Sequence, residues 1–337
     1  MVFVDLNKVY VGDCFDGIKK LDDCSVDMVF TSPPYWTLRD YDVRGQFGLE
    51  STFEDYVNKL LVLFDEIKRV LKDGGTCWVN MGDVYFGGGT GQDKSMSCGK
   101  YVKDNFKGMA NAINSRDRSF NYSSKCLCMI PERFAIGMID RGWILRNQII
   151  WWKPNAMPHS VKDRFTVDFE KLFFFVKNKK YFFCAQREPV KEDSIRRACR
   201  GKNKMYQSSC GNWLQDYSGY DDMISRYKEG CLRGVHKDGR NKRTVWRINL
   251  KPGKYGHCAV FPEELVKVSV LAGCPEGGVV LDPFIGVGTV GVVCLKNNRN
   301  FVGFEINDKY ASIAMDRVGF LSSQKKLGVF VGENRKV

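Results

Sequence analysis

Two short stretches carry side chains whose types and spacing could do chemistry. The first, LDPFIGVGTVG, sets Gly286, Gly288 and Gly291 in G-x-G-x-x-G spacing, and Glu305 follows at the end of FVGFEI. That pattern nearly satisfies a dinucleotide fingerprint, whose glycines admit a ligand to the backbone and whose acid binds ribose hydroxyls. Asp282 opposes a pyrophosphate, because it stands where the strand ends and the glycine turn begins. A phosphate there would meet a carboxylate at short range. A ligand with cationic groups and a ribose would be attracted instead.

The second stretch, VFTSPPYW, ends an apolar run in a stiff corner. Neither Pro33 nor Pro34 has an amide hydrogen, and both fix the backbone. The corner therefore offers carbonyl oxygens, the Ser32 hydroxyl and the rings of Tyr35 and Trp36. Such acceptors suit an exocyclic amine on a nucleobase, which is a poor nucleophile because its lone pair is delocalised. Holding both N–H bonds, by Ser32 Oγ and the Pro33 carbonyl, lets the nitrogen pyramidalise and aim its lone pair. Tyr35 is placed to stack on the base, with Trp36 behind it. The electrophile that matches is S-adenosyl-L-methionine, which carries an ammonium, a sulfonium methyl and a ribose. Asp282 and Glu305 would hold its charged and ribose ends, Phe284 and Ile306 would wall the adenine, and Gly286 and Gly288 would admit it to the backbone. Displacement at the methyl needs alignment and acceptors more than a strong base.

Composition points the same way. The 337 residues hold 52 Lys and Arg against 39 Asp and Glu, a net charge of +13. That excess predicts a polyanionic partner. Residues 185–244 concentrate it, with 14 basic against 8 acidic residues, interleaved with Tyr206, Trp213, Tyr217, Tyr220, Tyr227 and His236. Thirteen scattered cysteines include Cys126 and Cys128 but no C-x-x-C pair, which reads as free thiols in a reducing cytosol and no metal site. No apolar run reaches membrane-span length, and no secretory signal is expected, so the predicted location is cytoplasmic. GGGTGQDKS is rejected as a nucleotide-triphosphate loop, since Asp93 replaces the glycine before Lys94.

The elements that must position these motifs read as α/β at both ends of the chain. KVYVGD and SVDMVFTS are strands. STFEDYVNKLLVLFDEIKRVLKDGG is an amphipathic helix, with Ser51 and Glu54 in capping-box spacing and Gly74-Gly75 as its stop. TCWVNMG is a buried strand, and residues 86–125 read as a long loop closing over a ligand. A helix follows from Pro131 to Gly142, then strands in WILRNQIIWW, KLFFFVKN and KYFFCA. After 185–244, a helix from Pro262, the strand GGVVLD, the glycine turn, a helix, the strand NFVGFEI and a last helix complete the order. The expected organisation is one α/β domain built from residues 1–184 and 245–337, with 185–244 inserted. Its fold class is a Rossmann-like, mostly parallel sheet with helices on both faces.

TSPPYW followed far downstream by DPFIGVGT and FVGFEIN resembles the amino-group DNA methyltransferases. GDVY, IIWWKPNAMPHSVKDRF, GRNKRTVW and HCAVFPEEL are similar to further segments of that family. Having the catalytic motif before the cofactor motif looks like its permuted β arrangement, and Ser32 looks like the cytosine-N4 branch. The resemblance implies a circularly permuted S-adenosylmethionine-dependent fold acting on double-stranded DNA by base flipping. It also implies a restriction endonuclease as functional partner and a prokaryotic or phage setting, as monomer or homodimer. Ser32, Pro33, Pro34 and Tyr35 would form the target pocket. Asp13, Phe261, Pro262, Asp282, Pro283, Phe284, Gly286, Gly288, Thr289, Glu305 and Ile306 would hold the cofactor. Lys153, Asn155, Lys162 and Arg164 would face DNA, as would Arg240, Lys242 and Arg243 in the basic insertion, the expected target-recognition region. His159 departs from the family pattern and receives no role. Adenine-N6 methylation, RNA methylation and a non-catalytic DNA binder on a vestigial core are the alternatives.

Overall fold

The computed structural model describes residues 5–38, 40–86, 122–195, 238–251 and 261–326. Most of the 86–125 loop and the aromatic positions of the basic insertion lie outside them. The chain separates into two compact units, one of residues 1–183 and 244–337, the other of residues 184–243.

The first unit is built on an eight-stranded sheet. In chain order its strands are β1 (Lys8–Val11), β2 (Val26–Thr31), β3 (Leu71–Met81), β4 (Ile144–Trp152), β5 (Phe169–Val176), β8 (Val245–Arg247), β9 (Val279–Asp282) and β10 (Asn300–Glu305). The spatial order is β1-β10-β9-β2-β3-β5-β4-β8. From β1 to β3 every pairing is parallel, and β5 runs antiparallel to both of its neighbours. The two C-terminal strands thus lie between the two N-terminal ones. The described part of the second unit contains one short antiparallel pair, β6 (Arg187–Glu188) with β7 (Arg240–Asn241).

Side chains alternate across the sheet as the two-residue strand period requires. Cys77, Val79, Met81, Phe173 and Phe175 face one core, while Trp78, Leu172, Phe174 and Val176 face the other. The first core is covered by α1 (Cys14–Ile18), α2 (Phe53–Val70) and α3 (Ile130–Asp140). The second is covered by α4 (Glu263–Gly273), α5 (Thr289–Lys296) and α6 (Asp308–Lys326). Among the described residues no helix is long and apolar enough to cross a membrane.

Three sequence expectations need correction. The long helix is capped by Thr52, whose side chain accepts from the Asp55 amide at 3.0 Å, not by Ser51. It ends at Val70, and the chain enters β3 directly, so Gly74-Gly75 lies within a strand rather than stopping the helix. Gly75 is needed there because a Cβ would come within 2.6 Å of the Leu71 side chain and 3.0 Å of the Asp27 carbonyl. KYFFCA forms no strand. Its Phe183 stacks on Phe174 at 5.7 Å and the Phe182 amide donates to the Gly74 carbonyl, so the segment caps a sheet face and end instead of extending the ladder.

Candidate active site

Parallel α/β sheets bind ligands beyond the carboxyl ends of their strands, because the loops diverge there. Here that edge collects Asp13 after β1, Glu305 ending β10, Asp282 ending β9, Ser32 after β2 and Asn80 near the end of β3. β5 runs the opposite way, so its first residues, including Glu170, reach the same edge, as does Lys153 after β4. All of these except the fully buried Asp282, whose neighbours Pro283 and Phe284 take part, line a cavity of about 380 Å³, within the range of small-molecule sites.

The two motifs meet directly. Thr31, just before the diproline corner, donates its hydroxyl to Asp282 Oδ1 at 2.7 Å, although 251 positions separate them. Met28 and Val29 of β2 pair with Val280 and Leu281 of β9, which sets this contact. Asp282 is fully buried; the Phe284 amide also donates to Oδ1, at 3.1 Å, and Oδ2 has no partner among the described residues. Burial pushes its carboxyl up to about 7, against the Thr31 and Phe284 hydrogen bonds, which pull it down. The Thr289 hydroxyl, also buried and lining the cavity, is likewise without a partner there. Glu305 receives the Gly286 amide on one oxygen and the Asn307 amide on the other, both at 2.9 Å, and burial raises its carboxyl.

The glycines divide their work. Gly286 lines the cavity with φ +54°. Gly288 has φ +83° and caps α5, and a Cβ there would stand 3.0 Å from the Ala314 Cβ of α6. Its freedom thus serves a helix contact, and Gly288 is not among the residues lining the cavity. Gly288→Ala is expected to lower unfolding stability by about 1–2 kcal/mol, read as a lower denaturant midpoint at unchanged slope.

Asp13 caps α1, accepting from the Phe15 amide at 2.7 Å, and lines the cavity. Phe284, Phe261, Pro283 and Ile306 line it too, with Phe47 edge-on to Phe284 at 5.1 Å. Pro262 is buried as the cap of α4. The sequence reading missed Tyr41, Gln46, Phe47 and Tyr310, which close the same end of the cavity. Tyr41 packs edge-on to Tyr310, and its carbonyl receives the Asn307 side chain at 3.3 Å. A loop docking on a strand end leaves no periodicity to read. The unpredicted α1 is five residues long, below the length at which helical period is visible.

At the target corner, Ser32, Pro33, Pro34 and Tyr35 all line the cavity. Tyr56 donates its hydroxyl to the Pro34 carbonyl at 2.8 Å, while the Pro33 carbonyl has no donor among the described residues. Trp36 is turned away into the core, giving its indole N–H to the Glu50 carbonyl and packing on Phe53.

The residues expected to face DNA sit variously. Lys153 lines the cavity and pairs with Glu170. Asn155 uses both ends of its amide on the Leu250 backbone, at 2.9 and 2.8 Å, bracing its loop. Lys162 is exposed, and Arg164 stacks on Tyr85 with 4.0 Å to the ring centre. Within the second unit Arg240 and Arg243 share Glu188 Oε1, each at 2.8 Å, and the Lys242 amide donates to the Gln186 carbonyl. His159 lines the cavity with its Nδ1 buried.

The chain is 39% identical over 311 residues to the Type II methyltransferase M.Cfr9I of Citrobacter freundii, covering 92% of this chain and 87% of that protein. It is 39% identical over 312 residues to the Type II methyltransferase M.SmaI of Serratia marcescens, covering 92% and 90%. Among solved structures, the fold resembles the PvuII DNA methyltransferase (cytosine-N4-specific), with a TM-score of 0.58, 17% identity and coverage of 97% and 87%. It also resembles M1.HpyAVI in its SAM complex, with a TM-score of 0.52, 17% identity and coverage of 92% and 98%. The N6_N4_Mtase pattern, described as DNA methylase, matches residues 26–316, and the chain belongs to that family.

Proposed function

We propose that this protein transfers a methyl group from S-adenosyl-L-methionine to the N4 amine of cytosine in duplex DNA, as the modification partner of a restriction endonuclease in a prokaryotic cytoplasm. The observation that carries the reading is the Thr31–Asp282 hydrogen bond, which fastens the amine corner to the glycine turn at one cavity. The residues present fit the cofactor. Asp282 Oδ2 is a buried acceptor without a partner among the described residues and suits an ammonium. Glu305 is held rigid by two amides and keeps lone pairs for ribose hydroxyls. Phe284 and Ile306 offer apolar faces to an adenine beside Asp13.

When bound, adenosylmethionine supplies an electrophilic methyl on its sulfonium. The chain's part is to orient and to accept. Ser32 Oγ and the Pro33 carbonyl take the two N–H bonds of the flipped base, so that the nitrogen lone pair faces the methyl. The apolar walls exclude water, which strengthens both contacts. The basic second unit neutralises phosphates and supplies target recognition, giving an affinity that falls steeply with salt. Ser32 in the corner, and the resemblance to a protein described as cytosine-N4-specific, favour cytosine over adenine.

Nucleoside analysis of DNA from cells expressing the protein tests the reading. N4-methylcytosine is expected. N6-methyladenine would transfer the assignment to adenine, and unmodified DNA would overturn it.

A further inference from the structure

A chain of hydrogen bonds leads from the amine corner into the sheet. Tyr35 Oη donates to Glu170 Oε2 at 2.7 Å. Asn80 Nδ2 lies 3.0 Å from Tyr35 Oη and 2.6 Å from the same Glu170 oxygen. Lys153 closes on the other Glu170 oxygen, and Ser32 Oγ stands 3.4 Å from Tyr35 Oη. All five side chains line the cavity. Lys153 and Glu170 are only 15% and 16% exposed, so neither charge is well hydrated and each needs the other.

The direction of this chain follows from donor inventory. A carboxylate only accepts, and an ammonium or amide NH2 only donates. Tyr35 must give its single proton to Glu170, while Asn80 fills one of its lone pairs. Burial and the nearby Glu170 charge hold the phenol well above its ordinary range, so it stays protonated. The lone pair left on Tyr35 can only receive a proton, and Ser32 is the hydroxyl beside it. With its hydrogen turned to Tyr35, Ser32 Oγ offers only lone pairs to the cavity. The 3.4 Å separation is long for two hydroxyls, as catalytic hydrogen bonds often are before substrate closes the site.

We propose that Glu170, acting through Tyr35, is the positioning residue that makes Ser32 an obligate acceptor for the target amine. The inference rests on the methyl-transfer reading above. In Glu170→Gln, Lys153 claims the amide oxygen and the amide NH2 faces Tyr35. That NH2 also faces Asn80 Nδ2, so the Asn80 amide must turn its oxygen inward; Tyr35 loses its carboxylate acceptor and Ser32 is no longer held as an acceptor.

Methyl transfer to plasmid DNA, measured with a cofactor titration, tests this. Glu170→Gln is expected to lower kcat about 10- to 100-fold, with the KM for adenosylmethionine and the Kd for adenosylhomocysteine within twofold of wild type. The Ser32→Ala, Glu170→Gln double variant is expected to be no slower than Ser32→Ala alone. Tyr35→Phe cuts the chain without touching the Lys153 pair and is expected to show the same kcat loss. It carries the test if Glu170→Gln fails to fold. Wild-type turnover in either folded variant, or a double variant whose loss is the product of the single losses, would overturn the role of Glu170 alone. A wild-type protein that transfers no methyl to DNA would overturn the underlying reading, and this inference with it.

Discussion

Ser32→Ala is expected to lower kcat for methyl transfer by about 10²–10³-fold while leaving adenosylmethionine affinity within about twofold of wild type. The size follows from losing one positioned hydrogen-bonding group in a water-poor site, worth roughly 3–4 kcal/mol in comparable chemistry. The selectivity follows from geometry. Ser32 lines the cavity at the diproline corner, whereas Asp282, Glu305 and Gly286 belong to other strand ends. Removing a hydroxyl there leaves the Thr31–Asp282 bond and both Glu305 contacts intact. Single-turnover transfer and equilibrium cofactor binding, measured on the same preparation, separate the two effects. Turnover at the wild-type rate would remove Ser32 from the amine pocket.

Asp282→Asn is expected to weaken adenosylmethionine binding about 10- to 100-fold, the span of a charge-assisted hydrogen bond lost to its neutral counterpart. The substitution keeps an acceptor for the Thr31 hydroxyl, so the corner should stay attached. A pH dependence comes with it. Burial sets the Asp282 carboxyl at about 7 in the unliganded protein, and a cationic ligand prefers the ionised form. Cofactor affinity should therefore fall as pH drops below about 7, and Asp282→Asn should flatten that profile. Stability runs the other way. The folded pKa lies above the unfolded value near 4, so the folded state holds the proton more tightly. That contribution is complete below about pH 4 and is lost as pH rises through about 7. Above pH 7 the unliganded Asp282→Asn protein should thus melt at a higher temperature than wild type. Calorimetric titration and thermal melts across pH 5–9 check both signs.

The parts of this site legible in the sequence were those whose chemistry is local. The diproline corner and the glycine turn each announce themselves within about ten residues, because fixed backbone angles and positive φ need particular residue types. The apolar strand periods place both at strand ends, and the ends of parallel strands share an edge. The sheet order then joins Thr31 to Asp282, a contact with no local signature.

The Glu170 network was not legible, and the reason is topological. Tyr35, Asn80, Lys153 and Glu170 come from four places along the chain, and only the antiparallel entry of β5 brings them together. A faint signal existed. FEKLFFFV opens with a carboxylate at the head of an apolar strand, and IIWWK closes with a lysine. Paired antiparallel, with Trp151 opposite Glu170, those ends must meet. The resemblance implies a DNA-facing Lys153; in the structure an acid across the strand pair holds it at the cavity. The early end of α2 was hidden for a similar reason. Helical period continues into KDGG, and only the pairing of Leu71 with Val26 pulls that segment into the sheet.

A crystal structure with adenosylhomocysteine and a duplex containing the modified sequence would show whether one cavity serves both reactants. An extruded base is expected whose amine lies within about 3.2 Å of both Ser32 Oγ and the Pro33 carbonyl, facing the ligand sulfur across the width of one methyl group. A ligand or an extruded base seated away from that cavity would contradict it.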